Sequence, residues 1–228
     1  MTAFAQIFDQ LDRELWIVTA RAGEHSSGLV ATYVARVSLV PTLPRVTIAL
    51  AKHHLTHELI ERSGAFAMHL VGEDQLDWVW RFGIPSGREV DKFCSLTTTT
   101  GPSGSPILSA APAWLDCRVE ARMDTGDRTV YLAEVLEAGF SMPDAGGSRR
   151  KPAVGSSAGS ADRRTASAES REQCTPAAPL TIKRLFELAP PDRLREMKQT
   201  LERDIELDRA AILAWRREQA GSGEHASE

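Results

Sequence analysis

The sequence predicts a mainly β fold with helices attached. One ground is a pair of apolar runs, Leu29 to Val40 and Val46 to Ala51, joined by Pro41-Thr42-Leu43-Pro44 and read as neighbouring strands. Another is a long hairpin pattern, Ala113 to Met123 and Thr129 to Phe140, turned by Asp124-Thr125-Gly126-Asp127. At the far end, Pro190-Pro191-Asp192 opens a long helix in which Leu194, Met197, Leu201, Ile205, Ile212 and Trp215 recur at helical spacing.

The elements follow in order. Phe4, Ile7, Phe8 and Leu11 have the spacing of a short amphipathic helix lying on the β core. Leu15 to Ala20 is a compact strand, and Ala22 to Ser27, with Gly23, is a turn. In the run from Leu29, strict alternation places Val30, Thr32, Val34, Arg36 and Ser38 on one face, two hydroxyls and a cation among branched apolar residues. Thr56 to Arg62 is a helix capped by Thr56 and closed by Ser63-Gly64. Ala65 to Val71 returns as a strand, and Asp74 to Phe82 is a second helix ended by Gly83. A loop from Ile84 to Val90 leads to Asp91-Lys92-Phe93, and the stretch from Thr97 to Pro106 is an irregular connection.

Asp144 to Pro179 contains no aromatic residue, leucine or isoleucine. Such a segment buries too little apolar surface to offset the entropy of ordering, so it is expected to be a disordered insert. The organisation expected is therefore residues 1–143 as one β domain, 144–179 as the insert, and 180–219 as a docking segment or last strand followed by the helix, which packs on the domain or on a partner subunit.

Composition narrows the function. A chain of 228 residues has room for a full core without disulfide or metal staples. A net charge of -4 and a pI near 5.9 argue against nucleic acid or acidic membranes as partners. The cysteines, Cys94, Cys117 and Cys174, show no paired spacing, which fits a reducing compartment; Cys94 is read as a small packing residue. The first residues carry acidic groups and no cationic segment before an apolar core, and no apolar run approaches the ~20 residues of a membrane span. A cytoplasmic protein acting on small molecules or proteins is expected.

Seven segments in order, LWIVTAR, SGLVATYVARVSLVPTLPRVTIALAKHHLTHELI, SGAFAMHL, FGIPSGREVDKF, GSPIL, AWLDCRVE and TGDRTVYLAEV, closely resemble the flavin reductase-like, FMN-binding split-barrel proteins. The likeness runs from about Leu15 to Phe140. It implies a six-stranded Greek-key split barrel with the long C-terminal helix added, a homodimer, and FMN near the subunit interface. By position it places Thr32 beside the flavin ring or ribityl chain, with Ser38, Leu39 and Val40 along the following loop. Lys52, His53, His54 and Thr56 would surround the phosphate, where a strand ends in polar donors at a helix entry. Lys92 and Phe93 would close over the flavin, against the plainer reading of an ion pair with Asp91 or Glu89 beside a core phenylalanine.

The family's reductases carry Gly-Asp-His on the hairpin, a histidine associated with nicotinamide; here the triplet is Gly126-Asp127-Arg128. Arginine retains a donor and fixes a positive charge, so Arg128 is the candidate for substrate binding. The function implied is an FMN-dependent oxidoreductase: hydride from NADH or NADPH to flavin, and electrons onward to free flavin, a partner monooxygenase or another acceptor. The alternative is an FMN-holding protein without fast nicotinamide chemistry that docks a partner protein. No catalytic acid or base is nominated, because positioning a donor over a flat ring supplies most of such catalysis. No metal is expected either: His53 and His57 would share a helical face and Glu58 follows, but the order is not His-Glu-x-x-His and no cysteine or carboxylate cluster completes the shell. His69, in an apolar strand, is read as a satisfied interior side chain.

Overall fold

A computed structural model describes residues 3–8, 10–140 and 178–223. The expected insert, apart from Ala178 and Pro179, lies outside the described residues, as does Cys174. The described fold is mainly β: α1 (Ala3–Phe8), β1 (Trp16–Ala22), β2 (His25–Ala31), β3 (Val34–Arg36), β4 (Arg45–Ala51), α2 (Leu55–Ser63), β5 (Ala65–Leu70), α3 (Leu76–Gly83), β6 (Thr98–Thr100), β7 (Pro106–Leu108), β8 (Ala113–Asp124), β9 (Arg128–Phe140), α4 (Ile182–Leu188) and α5 (Pro191–Gly223).

The main sheet has seven strands rather than six, in the order β2-β1-β5-β8-β9-β4-β3, and all its pairings are antiparallel. β6 and β7 form a separate two-stranded ribbon in the stretch expected to be irregular. β2 and β3 follow each other in the chain yet lie on opposite edges of the main sheet. Residues Thr32 and Tyr33 make that crossing, so Leu29 to Val40 is two strands with a break, and the single alternation expected across it does not hold. The sheet is curled so that its two edges meet in sequence at this break.

Both faces of β1 are covered, which explains its nearly continuous apolar sequence. Val18 and Ala20 join a core with Ile48, Leu50, Phe66, Met68 and Tyr131, into which α2 inserts Leu59 and Ile60. Ile17 joins the other core, with Val79 and Phe82 of α3, Leu108 of β7 and Leu180. Trp78 and Trp80 are buried in that second core, where aromatic residues of a helix ordinarily sit. The chain returns at residues 179–181 through two short bridges: Leu180 donates to the Val71 carbonyl at 2.7 Å and accepts from Leu15 at 2.9 Å. The segment expected as a last strand or docking piece is thus no strand: two isolated bridges are followed by α4.

Several local expectations are corrected. α2 begins one residue early, with His54 at the N-cap position, so Thr56 lies inside its first turn and is not the cap. Gly64 does close α2, at φ +67, with its N–H on the Ile60 carbonyl. α1 is not packed on the sheet: Phe4 is 71 % exposed, and Ile7 and Phe8 are exposed beside it. Cys94 is exposed, whereas Cys117 is buried and its thiol is pushed up by burial. No helix among the described residues is long and apolar enough to cross a membrane.

Candidate functional site

The crossing at Thr32 and Tyr33, the turn after β4 and the start of β9 come together at one corner of the sheet. Tyr33 accepts from Ala49 of β4 through its carbonyl at 3.0 Å. Its ring carries the guanidinium of Arg128 at 5.1 Å from the centroid and that of Arg13 at 5.2 Å. Thr32 is half-buried beside it, and the loop that follows leaves Leu39 88 % exposed with Val37, Val40 and Leu43 exposed nearby. Ser38 shapes that loop, accepting from Val40 N–H through Oγ at 3.1 Å and from Arg36 Nε through its carbonyl at 2.7 Å. Arg36 is therefore spent on the loop itself.

The residues expected at a phosphate have mixed surroundings. Lys52 Nζ is paired with Asp124 Oδ1 at 2.6 Å, reaching across to the β8–β9 hairpin. Thr56 is buried and donates to Ser27 Oγ at 3.2 Å. His53 and His54 meet at a tilt of 50°, 4.1 Å between ring centroids, and His53 faces α5. Burial, with His53 beside it, holds the His54 imidazole down at about 4, so it is neutral at pH 7. His57 does not join them: its Nε2 is 2.8 Å from Thr129 Oγ1 in the core, and burial lowers its pKa.

Helix α5, 33 residues and about 50 Å long, crosses this corner with an acidic face. Leu194 and Met197 pack on the second core and Ile212 and Trp215 are half-buried, as their spacing suggested. Leu201 and Ile205, expected in the same stripe, are 57 % and 48 % exposed. Half-buried on this stretch instead are Thr200, Asp204, Asp208 and Ala211. His53 Nε2 is 3.4 Å from Asp204 Oδ1, and its Nδ1 is 3.7 Å from Asp208 Oδ1. Arg128 Nη2 is 2.5 Å from Asp208 Oδ2, and its Nε is 3.2 Å from Asp127.

Burial raises the Asp208 carboxyl above its ordinary value, helped by Asp127 and Asp204 and opposed by Arg128. For Asp204 burial acts in the same upward direction, but the neighbouring imidazoles outweigh it and its pKa is lowered. Among these ion-paired groups, two cations (Lys52, Arg128) stand against four carboxylates (Asp124, Asp127, Asp204, Asp208). The field at this end of the cleft is therefore less favourable to a dianion than the sequence alone suggested.

Lys92 is neither exposed nor paired with Asp91 or Glu89. It is buried, donating to the carbonyls of Gly28 at 2.9 Å and Phe82 at 2.8 Å, and burial lowers its pKa to about 8. Phe93 meets Phe82 edge-on at 5.8 Å, so this pair ties the loop after α3 to β2. Residues 87–91 and Phe93 line a polar hollow with Arg21, His25 and Ser26.

Sequence reasoning missed Arg13, Tyr33, Asp204 and Asp208. Arg13 Nε is buried with no hydrogen-bond partner, an orphaned donor beside the Tyr33 ring. A signal for the acidic pair was present: like charges four residues apart weaken an isolated helix, so Asp204 and Asp208 needed cationic or imidazole partners elsewhere.

The comparisons with known proteins agree with this architecture. The family model described as the flavin reductase like domain matches residues 8–150. The chain is 33 % identical to the reductase subunit of a flavin-dependent monooxygenase from Rhodococcus jostii, over 58 % of this chain and 65 % of that protein. It is 27 % identical to a ferric-chelate reductase (NAD(P)H) from Archaeoglobus fulgidus, over 58 % and 79 %. Against a diflavin flavoprotein from Synechocystis the identity is 31 %, and the chain spans only 21 % of that longer protein. Among solved structures, a homologue of nitrilotriacetate monooxygenase component B from Mycobacterium thermoresistibile superposes with a TM-score of 0.55 at 30 % identity, covering 65 % of this chain and 77 % of that one. An NADH:FAD oxidoreductase from Streptomyces globisporus gives 0.54 at 27 %, covering 60 % and 80 %. The chain belongs to the flavin reductase-like domain family.

Proposed function

We propose that this chain is an FMN-dependent oxidoreductase of the flavin reductase type, acting in the cytoplasm as a homodimer whose curled sheet closes as a Greek-key split barrel. The observation that carries this reading is the chain crossing at Thr32–Tyr33, with the exposed loop through Ser38, Leu39 and Val40 beside it, inside a matching family domain. An apolar loop left open next to hydroxyls and the unpartnered Arg13 Nε suits a flat ring with polar edges. Thr32 and the backbone at Ser38 to Val40 would hold the ring and ribityl side. Arg13 is added as a donor, because its Nε lacks any partner in the fold. Lys52, His53 and His54 are retained near the phosphate end, whereas Thr56 and Lys92 are engaged internally and serve the scaffold.

Bound flavin would supply the electron chemistry, taking hydride from NADH or NADPH and passing electrons to free flavin, a partner monooxygenase or another acceptor. The protein's own residues would orient and desolvate: Leu39 and Val40 would cover the ring, beside Tyr33 with its two guanidiniums. The exposed apolar residues of α1 (Phe4, Ile7, Phe8) and α5 (Leu201, Ile205, Leu207, Leu213) are proposed to be covered by the second subunit. The insert between residues 144 and 179 links the flavin-binding domain to this docking helix.

Titration of tag-free protein with FMN, followed by anaerobic mixing with NADH and NADPH, tests the reading. Saturable quenching of flavin fluorescence and rapid bleaching are expected; protein that takes up no flavin would overturn it. A second reading, an FMN holder without fast nicotinamide chemistry that docks a partner protein, is favoured by one observation. Arg128, at the position of the reductases' histidine, is already held by Asp208 and Asp127. Flavin binding with no bleaching would select that second reading.

A further inference from the structure

We infer that His53, His54 and Asp204 form a binding site for a divalent transition-metal ion of the zinc and cobalt class, at the seam between the β4–α2 turn and α5. One ligand atom from each residue lies within 4.8 Å of the other two. The tighter contact is more informative. His53 Nε2 and Asp204 Oδ1 are 3.4 Å apart, yet Nε2 is buried and makes no hydrogen bond. That spacing is too long and poorly aligned for a good hydrogen bond. It matches the edge of a tetrahedron with metal–ligand bonds of about 2.0–2.1 Å, which is about 3.3 Å.

The surroundings have the other features such a site needs. Behind His53, the Asp208 carboxylate faces the opposite ring nitrogen at 3.7 Å and is itself held by Arg128. A carboxylate behind a ligating imidazole fixes its orientation and raises its basicity. The surplus of carboxylates over paired cations at this corner makes it hospitable to a cation. Two imidazole nitrogens with one carboxylate oxygen select a borderline transition ion over magnesium or calcium, which prefer oxygen. Three protein ligands leave one coordination position for water. The ion would bridge residues some 150 positions apart in the chain and clamp α5 to the sheet, which is why no shell was visible near His53 in the sequence.

The site shares His53 and His54 with the phosphate end proposed above, and the two readings are kept apart by assaying metal without flavin. Full-length, tag-free, flavin-free protein is stripped with chelator and titrated with Co2+, then with Zn2+ in competition. Expected are one Co2+ per chain with the intense visible absorption of a tetrahedral site, displacement by Zn2+, and a raised melting temperature on loading. Asp204→Asn and His54→Gln should each abolish the tetrahedral spectrum. Asp208→Asn should weaken binding about 10- to 100-fold, and Cys94→Ser should change nothing. Substoichiometric binding, or a spectrum undiminished in both Asp204→Asn and His54→Gln, would overturn the proposal. Far-UV circular dichroism of each variant establishes that it is folded before it is scored, and His53→Gln replaces any that is not.

Discussion

Asp208 of α5 accepts a hydrogen bond from Arg128 at 2.5 Å, joining the last helix to the first residue of β9 across 80 positions of sequence. The side chains are 14 % and 28 % exposed, so the pair is partly shielded from solvent and from salt. It lies midway along α5, where Leu201, Ile205 and Leu207 are exposed. The docking of this stretch therefore rests in part on charge.

Asp208→Asn should loosen that docking. The change removes the anion while Arg128 keeps Asp127 as a partner, so a loss of about 1–2 kcal/mol is expected. Hydrogen–deuterium exchange should show faster exchange across residues 200–215, with the β8 and β9 amides unchanged. Equal protection along α5 in both proteins would mean that the helix is held by Leu194, Met197 and Trp215 alone.

The same region shows where sequence pattern succeeds and where it stops. The hairpin of β8 and β9, the strand β4 and the Gly64 closure of α2 were legible because each is dictated by local alternation or by a turn residue. The break at Thr32 was not. Alternation continues through it, and only the antiparallel partners, β1 for one half and β4 for the other, reveal that the chain changes edges. The α5 stripe failed for a related reason. A helical apolar pattern identifies a face, but Leu201 and Ile205 sit on the edge that the sheet leaves exposed, because Arg128 and His53 claim Asp208 and Asp204 from across the fold. On the candidate site, the loop residues near Ser38 were found through family likeness, while Arg13 and the two aspartates have no local motif at all.

The flavin reading separates two hydroxyls that the sequence treated alike. Ser38 shapes the exposed loop, whereas Thr56 is buried and bonded to Ser27. Ser38→Ala should weaken FMN binding by about 1 kcal/mol, close to fivefold in Kd, with little change in melting temperature. Thr56→Ala should do the reverse, lowering stability by about 1 kcal/mol and leaving Kd nearly unchanged. The opposite pattern in fluorescence titration and thermal melts would place the phosphate at the α2 entrance after all.

Acid sensitivity should come from buried histidines. His69 is fully buried; its Nδ1–H donates to the Ile17 carbonyl at 3.0 Å and its Nε2 accepts from Leu108 N–H at 3.0 Å, a neutral tautomer that joins β1, β5 and β7. Burial lowers its pKa to about 4, opposed by the Ile17 bond. The unfolded chain, with an ordinary histidine near 6.5, then binds more protons than the folded chain between pH 6.5 and 4. Stability must fall as pH drops through that window, by roughly 3 kcal/mol from His69, and His54 acts in the same direction. His69→Leu should flatten this slope, while costing about 2–4 kcal/mol at pH 7 by leaving two buried backbone groups unpaired. Urea melts at pH 7, 6 and 5 measure both effects, and an unchanged slope in the variant would assign the acid lability to other groups.

The hairpin turn supplies a further test of where α5 lies. Gly126 has φ +97, and its N–H donates to Asp124 Oδ1 at 2.7 Å. A side chain there would be strained by the backbone alone, at about 1–2 kcal/mol. It would also meet Trp215 of α5, with the added Cβ 3.0 Å from Trp215 Cβ and 3.1 Å from Cγ. Gly126→Ala should therefore destabilise the protein through two separable effects, turn strain and the push on α5. In a Trp215→Ala background the Cγ and ring contacts are gone while the approach to Cβ stays, so the same glycine substitution should cost measurably less, with a coupling of at least about 0.5 kcal/mol. Additive losses in the double-mutant cycle would show that Trp215 does not rest on the hairpin, and the contacts of Asp204 and Asp208 with His53 and Arg128 would lose their nearest anchor.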